Sequence, residues 1–283
     1  MRGKRIIWAM TLLLIARLPL GAQTQAQGEA GEARDDFLMT RRDSYLVSRQ
    51  KVPINKGGKP AGAGGKNRQM PAANAATVPI GLGYTLFKKN ASGEPVRVNA
   101  AQEFREGDGV RFMIESNTTG YVYIFHTEND GPPKMIFPDP QLNEGDNRIK
   151  AHVPYEVPSR EEPGGWWFFF DKQTATERFY LVVTRRALAE AKAGETLVAY
   201  CEGSPKNCPW RPSMAFWNEL LAGAGVARVS QSREFGVAQT EIEREAVTRG
   251  VELRPGAPAP SVVKMNVSPK AGMLVAQISL VHK

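Results

Sequence analysis

The sequence predicts a mainly β protein: an antiparallel immunoglobulin-like or related β-sandwich with a small helical extension and a C-terminal β-hairpin. Three observations carry this. Val110, Phe112 and Ile114 alternate with Arg111 and Glu115, and after Asn117-Thr118-Thr119-Gly120 a second run follows in Tyr121 to Phe125, the pattern of a hairpin. Further short apolar runs, separated by Gly, Pro, Asn and Asp, recur from Leu82 to Tyr200, as a sandwich requires. No helix-length segment lies among them to build the crossovers of a parallel sheet, except a short one at Arg185–Lys192 (RRALAEAK).

The elements follow in order. Residues 1–22 read as a signal peptide: Arg2, Lys4 and Arg5 precede the apolar run Ile6–Ile15, and Leu20-Gly21-Ala22 offers a cleavage point. The run is too short for a bilayer span; an uncleaved anchor is the competing reading. Residues 23–77 are poor in large apolar side chains and read as a flexible basic Gly/Pro/Ala-rich linker. Within it Arg34–Gln50 has the pattern of a short amphipathic turn that would order on docking to a partner, with a solvated linker as the preferred reading. The sandwich occupies 78–200, with strands at Leu82–Lys88, Val96–Val98, Gly109–Glu115, Tyr121–Thr127, Lys134–Phe137, Arg148–Val153, Trp166–Phe170, Arg178–Thr184 and Thr196–Tyr200. Residues 201–260 form a disulfide loop and helical extension. Its helices are Pro212–Ala222 and Thr240–Arg249, the latter with Thr240 and Glu243 as a capping box and Gly250 as the stop. In 261–283 the runs Val262–Val267 and Leu274–Val281 make a hairpin packed on the sandwich.

Charge narrows the function classes. The formal charge of +8 arises from four basic residues in 1–22 and from nine basic against five acidic residues in 23–75, leaving 24 of each sign in 76–283. A neutral folded part argues against an extended nucleic-acid face, although net charge does not specify local patches. The two cysteines, Cys201 and Cys208, pair as a structural disulfide in an oxidising compartment. Their spacing is unlike a redox Cys-x-x-Cys, and the three scattered histidines (His126, His152, His282) do not suggest a metal site.

Five consecutive aromatics, Trp166-Trp167-Phe168-Phe169-Phe170, point alternately to the two faces of a strand. Trp166, Trp167 and Phe169, with Tyr121 and Tyr123, are the candidate binding residues. Packing under the 211–250 helices or the final hairpin is the alternative fate of that face. Glu128-Asn129-Asp130-Gly131 and Glu144-Gly145-Asp146-Asn147 carry carboxylates but lack the twelve-residue calcium pattern, and turn chemistry accounts for them. There is no Gly-x-Ser-x-Gly elbow, phosphate loop or dinucleotide fingerprint. No catalytic residue, metal ligand or cofactor is assigned.

The residues resemble a bacterial family, the domain of unknown function 4384. The matching pattern is Phe104 with Gly107-Asp108, Ser116-Asn117 with Gly120-Tyr121-Val122-Tyr123, and Phe137-Pro138. It continues in the aromatic strand Trp166–Phe170 and in Glu177 opening Arg178–Thr184. The resemblance spans roughly 82–184 and loosens at Thr174-Ala175-Thr176, where the family has Pro-Gly. It implies an exported or envelope-associated accessory domain with no established activity, of a kind also found beside peptidase-like or kinase-like domains. The motif residues themselves have folding roles: turns at Gly107-Asp108 and, with positive φ, at Gly120, and an aromatic ladder at Tyr121, Tyr123 and Phe125.

The expectation is a secreted or periplasmic, non-enzymatic binding module that acts through an aromatic sheet face or the loops at one end of the sandwich, with an envelope or secreted protein partner, no nucleic acid and no membrane span after signal cleavage. Two alternatives stand beside it. One is an exported hydrolase with its site between sandwich and helical extension. The other is an anchor that grips anionic envelope polymer through the Arg41–Arg68 arm.

Overall fold

Side chains that alternate in the sequence alternate in space. In strand β1 (Gly81–Lys89), Leu82, Tyr84 and Leu86 enter the central core, and β4 (Gly109–Ser116) answers with Val110, Phe112 and Ile114. The computed structural model describes residues 33–40, 78–141, 143–158, 167–232 and 260–283. The leader, the Arg41–Arg68 arm, Trp166 and the helix expected at Thr240–Arg249 lie outside the described residues.

Two sheets face each other. The first runs β11 (Ala227–Gln231), β12 (Val262–Asn266), β1, β4, β8 (Tyr155–Val157), with β2 (Pro95–Val98) on β1 and β9 (Phe168–Phe169) on β4. The second runs β3 (Glu103–Phe104), β13 (Met273–His282), β10 (Ala175–Thr184), β5 (Gly120–Glu128), β6 (Lys134–Phe137), with β7 (Arg148–Ile149) also on β5. Neighbours are antiparallel except β3 and β13, which run parallel. The core between the sheets joins Leu82 and Phe112 to Leu181, Val183 and Leu274. Across it, the Phe112 and Phe179 rings stand 5.0 Å apart.

Both outer faces are covered. Tyr123, Phe125 and Val182 point away from the core and meet Leu197 of α2 (Glu195–Gly203) and Phe216, Trp217 and Leu220 of α3 (Met214–Ala222). Ser213 caps α3, its hydroxyl accepting from Phe216 N at 3.1 Å. On the first sheet, helix α1 (residues 33–40) lays Ala33, Phe37 and Leu38 against Val263 and Met265. Gly81 leaves room for Phe37, since a Cβ there would lie 2.9 Å from its ring. Thus residues 33–40, read from composition as linker, are a docked helix. The segment's apolar triad, Ala33-Phe37-Leu38, is small, but a matching groove receives it.

Several expected elements differ. The hairpin of β4 and β5 is absent: β4 pairs with β1 and β5 with β10, so residues 117–119 carry the chain between sheets. Gly120 is not in the positive-φ region; its role is close approach, because a Cβ would run into the Thr184 carbonyl. The C-terminal hairpin is likewise absent, with β12 in the first sheet and β13 between β3 and β10 in the second. The sandwich therefore extends beyond residue 200 and draws β11, β12 and β13 from the region assigned to extension and hairpin.

Three local assignments change as well. Thr196–Tyr200 is helical, not a strand: Leu197, Tyr200 and Cys201 recur at helical spacing and pack on the second sheet's outer face. Arg185–Lys192 is not helical. Tyr123 Oη takes the Leu188 N–H at 3.0 Å, and the Thr184 hydroxyl donates to Arg186 O at 2.6 Å, so side chains engage the backbone groups a helix needs. The strand expected at Arg148–Val153 stops at Ile149, where Lys150 N turns to Tyr155 Oη at 3.0 Å and His152 takes φ 57°.

Candidate functional site

One end of the core is polar. Along β5, Val122, Ile124 and His126 share the inward face, and along β10 Glu177 precedes Phe179, Leu181 and Val183 on that face. On β13 the inward series Leu274, Ala276, Ile278, Leu280 ends in His282. The three polar residues converge: His126 Nε2 is in close contact with Glu177 Oε2, and His282 Nδ1 lies 4.0 Å from Glu177 Oε1. All are buried, and His126 Nδ1 and both His282 nitrogens have no hydrogen-bond partner among the described residues. A buried carboxylate without a donor costs several kcal/mol, which explains why His126 sits against Glu177.

In front of the His126–Glu177 pair lies a cleft of about 290 Å³, between β6 at the edge of the second sheet and β9 on the first. Phe168 and Phe169 form one wall, Lys134 and Ile136 the other, and Glu128, Asp171 and the His126–Glu177 pair supply charge. Phe169 is 59% exposed, a large apolar ring left in water beside a concave surface. Lys89 Nζ approaches that ring to 5.7 Å from its centre.

Of the other candidate residues, Trp167 also lines the cleft, whereas Tyr121 and Tyr123 lie on the opposite face of the second sheet. Trp167 is buried, with the Arg111 guanidinium 4.1 Å from its ring centre and Arg111 in turn 3.3 Å from Glu156. Tyr123 is buried under the 185–192 loop and the helices, and burial pushes its hydroxyl pKa up. Tyr121 is half-buried at the margin of the same cluster. The aromatic ladder thus packs beneath α2 and α3, and of the named residues Phe169 alone lies open to solvent among the described residues. Cys201 and Cys208 form a disulfide, with Cα atoms 5.1 Å apart.

The interval between sandwich and helical extension holds a cavity lined by Met135, Pro138, Asp139, Leu197 and the disulfide. Its described lining contains no histidine, serine or free thiol. No group of three or more His, Cys, Asp or Glu side chains among the described residues is placed to hold a metal ion. The sequence reading above misses the His126–Glu177–His282 trio. Its signal was present: a polar residue at an inward position of three strands whose other inward residues are apolar.

Residues 103–187 match the model of a family described as Domain of unknown function (DUF4384). This agrees with the resemblance read at Phe104, Gly107-Asp108, Ser116-Asn117 and Gly120–Tyr123. The structure gives those residues structural tasks. Asp108 Oδ2 accepts from Arg105 N at 3.0 Å and pairs with Lys88 Nζ at 2.6 Å. Asn117 Oδ1 accepts from Gly81 N at 2.6 Å while its amide donates to Pro79 O at 3.0 Å, fixing the start of β1. No curated protein and no solved structure matches the chain.

Proposed function

We propose that the protein is an exported, non-enzymatic binding module that engages a protein partner at the seam cleft between β6 and β9. The observation that supports this most is Phe169, exposed beside a concave surface whose other walls bear Glu128, Asp171 and Lys134. An aromatic anchor with charged groups at its margin is the composition of an interface hot spot. The edge position suits an extended peptide, because β6 and β9 are short strands with little of the ladder beyond them. The carboxylates favour a partner segment with an apolar side chain and a neighbouring Lys or Arg.

The hydrolase reading has one feature in its favour, the carboxylate-paired His126, since such pairs orient a general base. The described lining of the cleft offers that base no Ser, Thr or Cys nucleophile.

The test is site-specific photocrosslinking in envelope preparations. A photoreactive residue at 169 is expected to give a discrete adduct that disappears with Glu128→Lys/Asp171→Lys. The same residue at Val226, 79% exposed and outside the cleft, is expected to give none. Equal labelling at both positions, or none at 169, would sink the proposal.

A further inference from the structure

At the far end of β10 from Glu177 the chain leaves Thr184 and enters the 185–192 loop, and a second concavity opens there, of about 570 Å³. That is within the range of roughly 300–1,000 Å³ typical of ligand pockets. Leu188, Pro269 and Met273 give it apolar walls, while Arg185, Arg186 and Lys270 bring three cations to it. Among the described residues no carboxylate lines it. None of the three cations is in an ion pair among the described residues.

The state of Arg185 is what makes this more than a basic surface. Its Nη1 donates to Ala271 O at 3.2 Å and its Nη2 to Val78 O, so the side chain ties the ends of two loops together. Its Nε is buried without an acceptor among the described residues, and partial burial works against its charge, lowering its pKa. The guanidinium is therefore offset by two carbonyl dipoles and no anion, with two more cations beside the same cavity. Like charges held together at a partly desolvated site repel, and an anion relieves that repulsion most effectively when it is shared among them. The apolar walls add a second requirement, because a bare inorganic ion would leave Leu188 and Met273 facing water.

We infer that this cavity binds an amphiphilic anion: a phosphate or carboxylate head held by Arg185, Arg186 and Lys270, with an alkyl body against Leu188, Pro269 and Met273. The site is separate from the seam cleft and does not depend on the binding-module reading. It also gives the open conformation of 185–192 a consequence. A helix there would place Arg186 and Leu188 differently, whereas the loop, held by Tyr123 Oη, presents both at one cavity.

The experiment is calorimetric titration of the full chain with three probes: decyl phosphate below its micellar concentration, inorganic phosphate, and neutral decyl maltoside. Saturable binding of decyl phosphate is expected, at least ten-fold tighter than inorganic phosphate, with none of decyl maltoside. Arg186 and Lys270 are exposed, so Arg186→Ala/Lys270→Ala is expected to keep the wild-type melting temperature while weakening decyl phosphate at least ten-fold. Arg186→Lys with Lys270 intact is expected to retain most of the affinity. Co-sedimentation with phosphatidylglycerol vesicles would place the head group in a bilayer; its absence with decyl phosphate binding retained would point to a free amphiphile, and both outcomes keep the inference. Equal affinity for inorganic and decyl phosphate, comparable binding of decyl maltoside, or full affinity in a folded double-alanine variant would overturn it.

Discussion

Tyr84 is buried in the central core, where desolvation of the phenolate pushes its pKa up to about 12. Below about pH 10 the hydroxyl is protonated in both folded and unfolded chains, so Tyr84 adds no pH dependence. Between about 10 and 12 the unfolded chain releases the proton and the folded one keeps it, so stability falls as pH rises. Spectrophotometric titration of tyrosinate should show a late component near pH 12 that Tyr84→Phe removes. The Glu177–His126 contact is costly to split. Both residues are buried, so Glu177→Ala strands His126 beside His282, whose nitrogens have no hydrogen-bond partner among the described residues. The expected loss is about 3 kcal/mol in urea unfolding. Gly120→Ala is expected to cost about 2–3 kcal/mol by forcing apart the contact between β5 and the Thr184 carbonyl, even though no side chain is lost.

At the scale of elements, α1 is the most informative. An isolated eight-residue helix has little stability in water, so it forms by docking. Phe37 is fully buried and its ring meets His152 edge-on, with centroids 5.3 Å apart. His152 in turn contacts Glu115 Oε1 at 3.0 Å through Nδ1 and Thr40 Oγ1 at 3.1 Å through Nε2. The helix is thus joined to the first sheet by apolar burial and by a polar chain, with Asp36 and Arg228 forming an ion pair of 2.7 Å at its flank. Phe37→Ala should destabilise by about 3 kcal/mol and speed proteolysis near residue 40. A smaller prediction belongs to α3: Ser213→Ala removes the cap on Phe216 N and should cost about 1 kcal/mol.

For the whole molecule, the stretch matched by the family model is not self-contained. Residues 103–187 supply β3 to β10, but β4 takes β1 as its long partner and β10 takes β13 along all ten of its residues. Without β1, β12 and β13 the two sheets would expose Leu181, Val183, Phe112 and Ile114. A fragment of 103–187 is therefore expected to lack cooperative thermal unfolding, and adding 78–102 and 260–283 in trans to restore it. The Cys201–Cys208 bridge closes a short loop and should contribute about 2–3 kcal/mol, read as the difference between oxidised and reduced chains in guanidinium.

The sequence determined by itself the residues that face the core, because a period of two is a local property. It marked Val110, Phe112 and Ile114, the position of α3 and the bonded cysteines. The family resemblance at Phe104 to Tyr123 was also legible. Pairing was not. Whether Ser116–Gly120 folds back as a hairpin or crosses to the other sheet depends on which distant edge, β1 or β10, offers the larger apolar face, and no local pattern records that. Only the tertiary structure could bring His126, Glu177 and His282 to one end of the core, bury the Tyr123 ladder beneath α3, leave Phe169 open, and set three cations with no ion pair among the described residues around one cavity. These arrangements come from contacts far apart along the chain, where loop closure and burial decide between pairings of equal local merit.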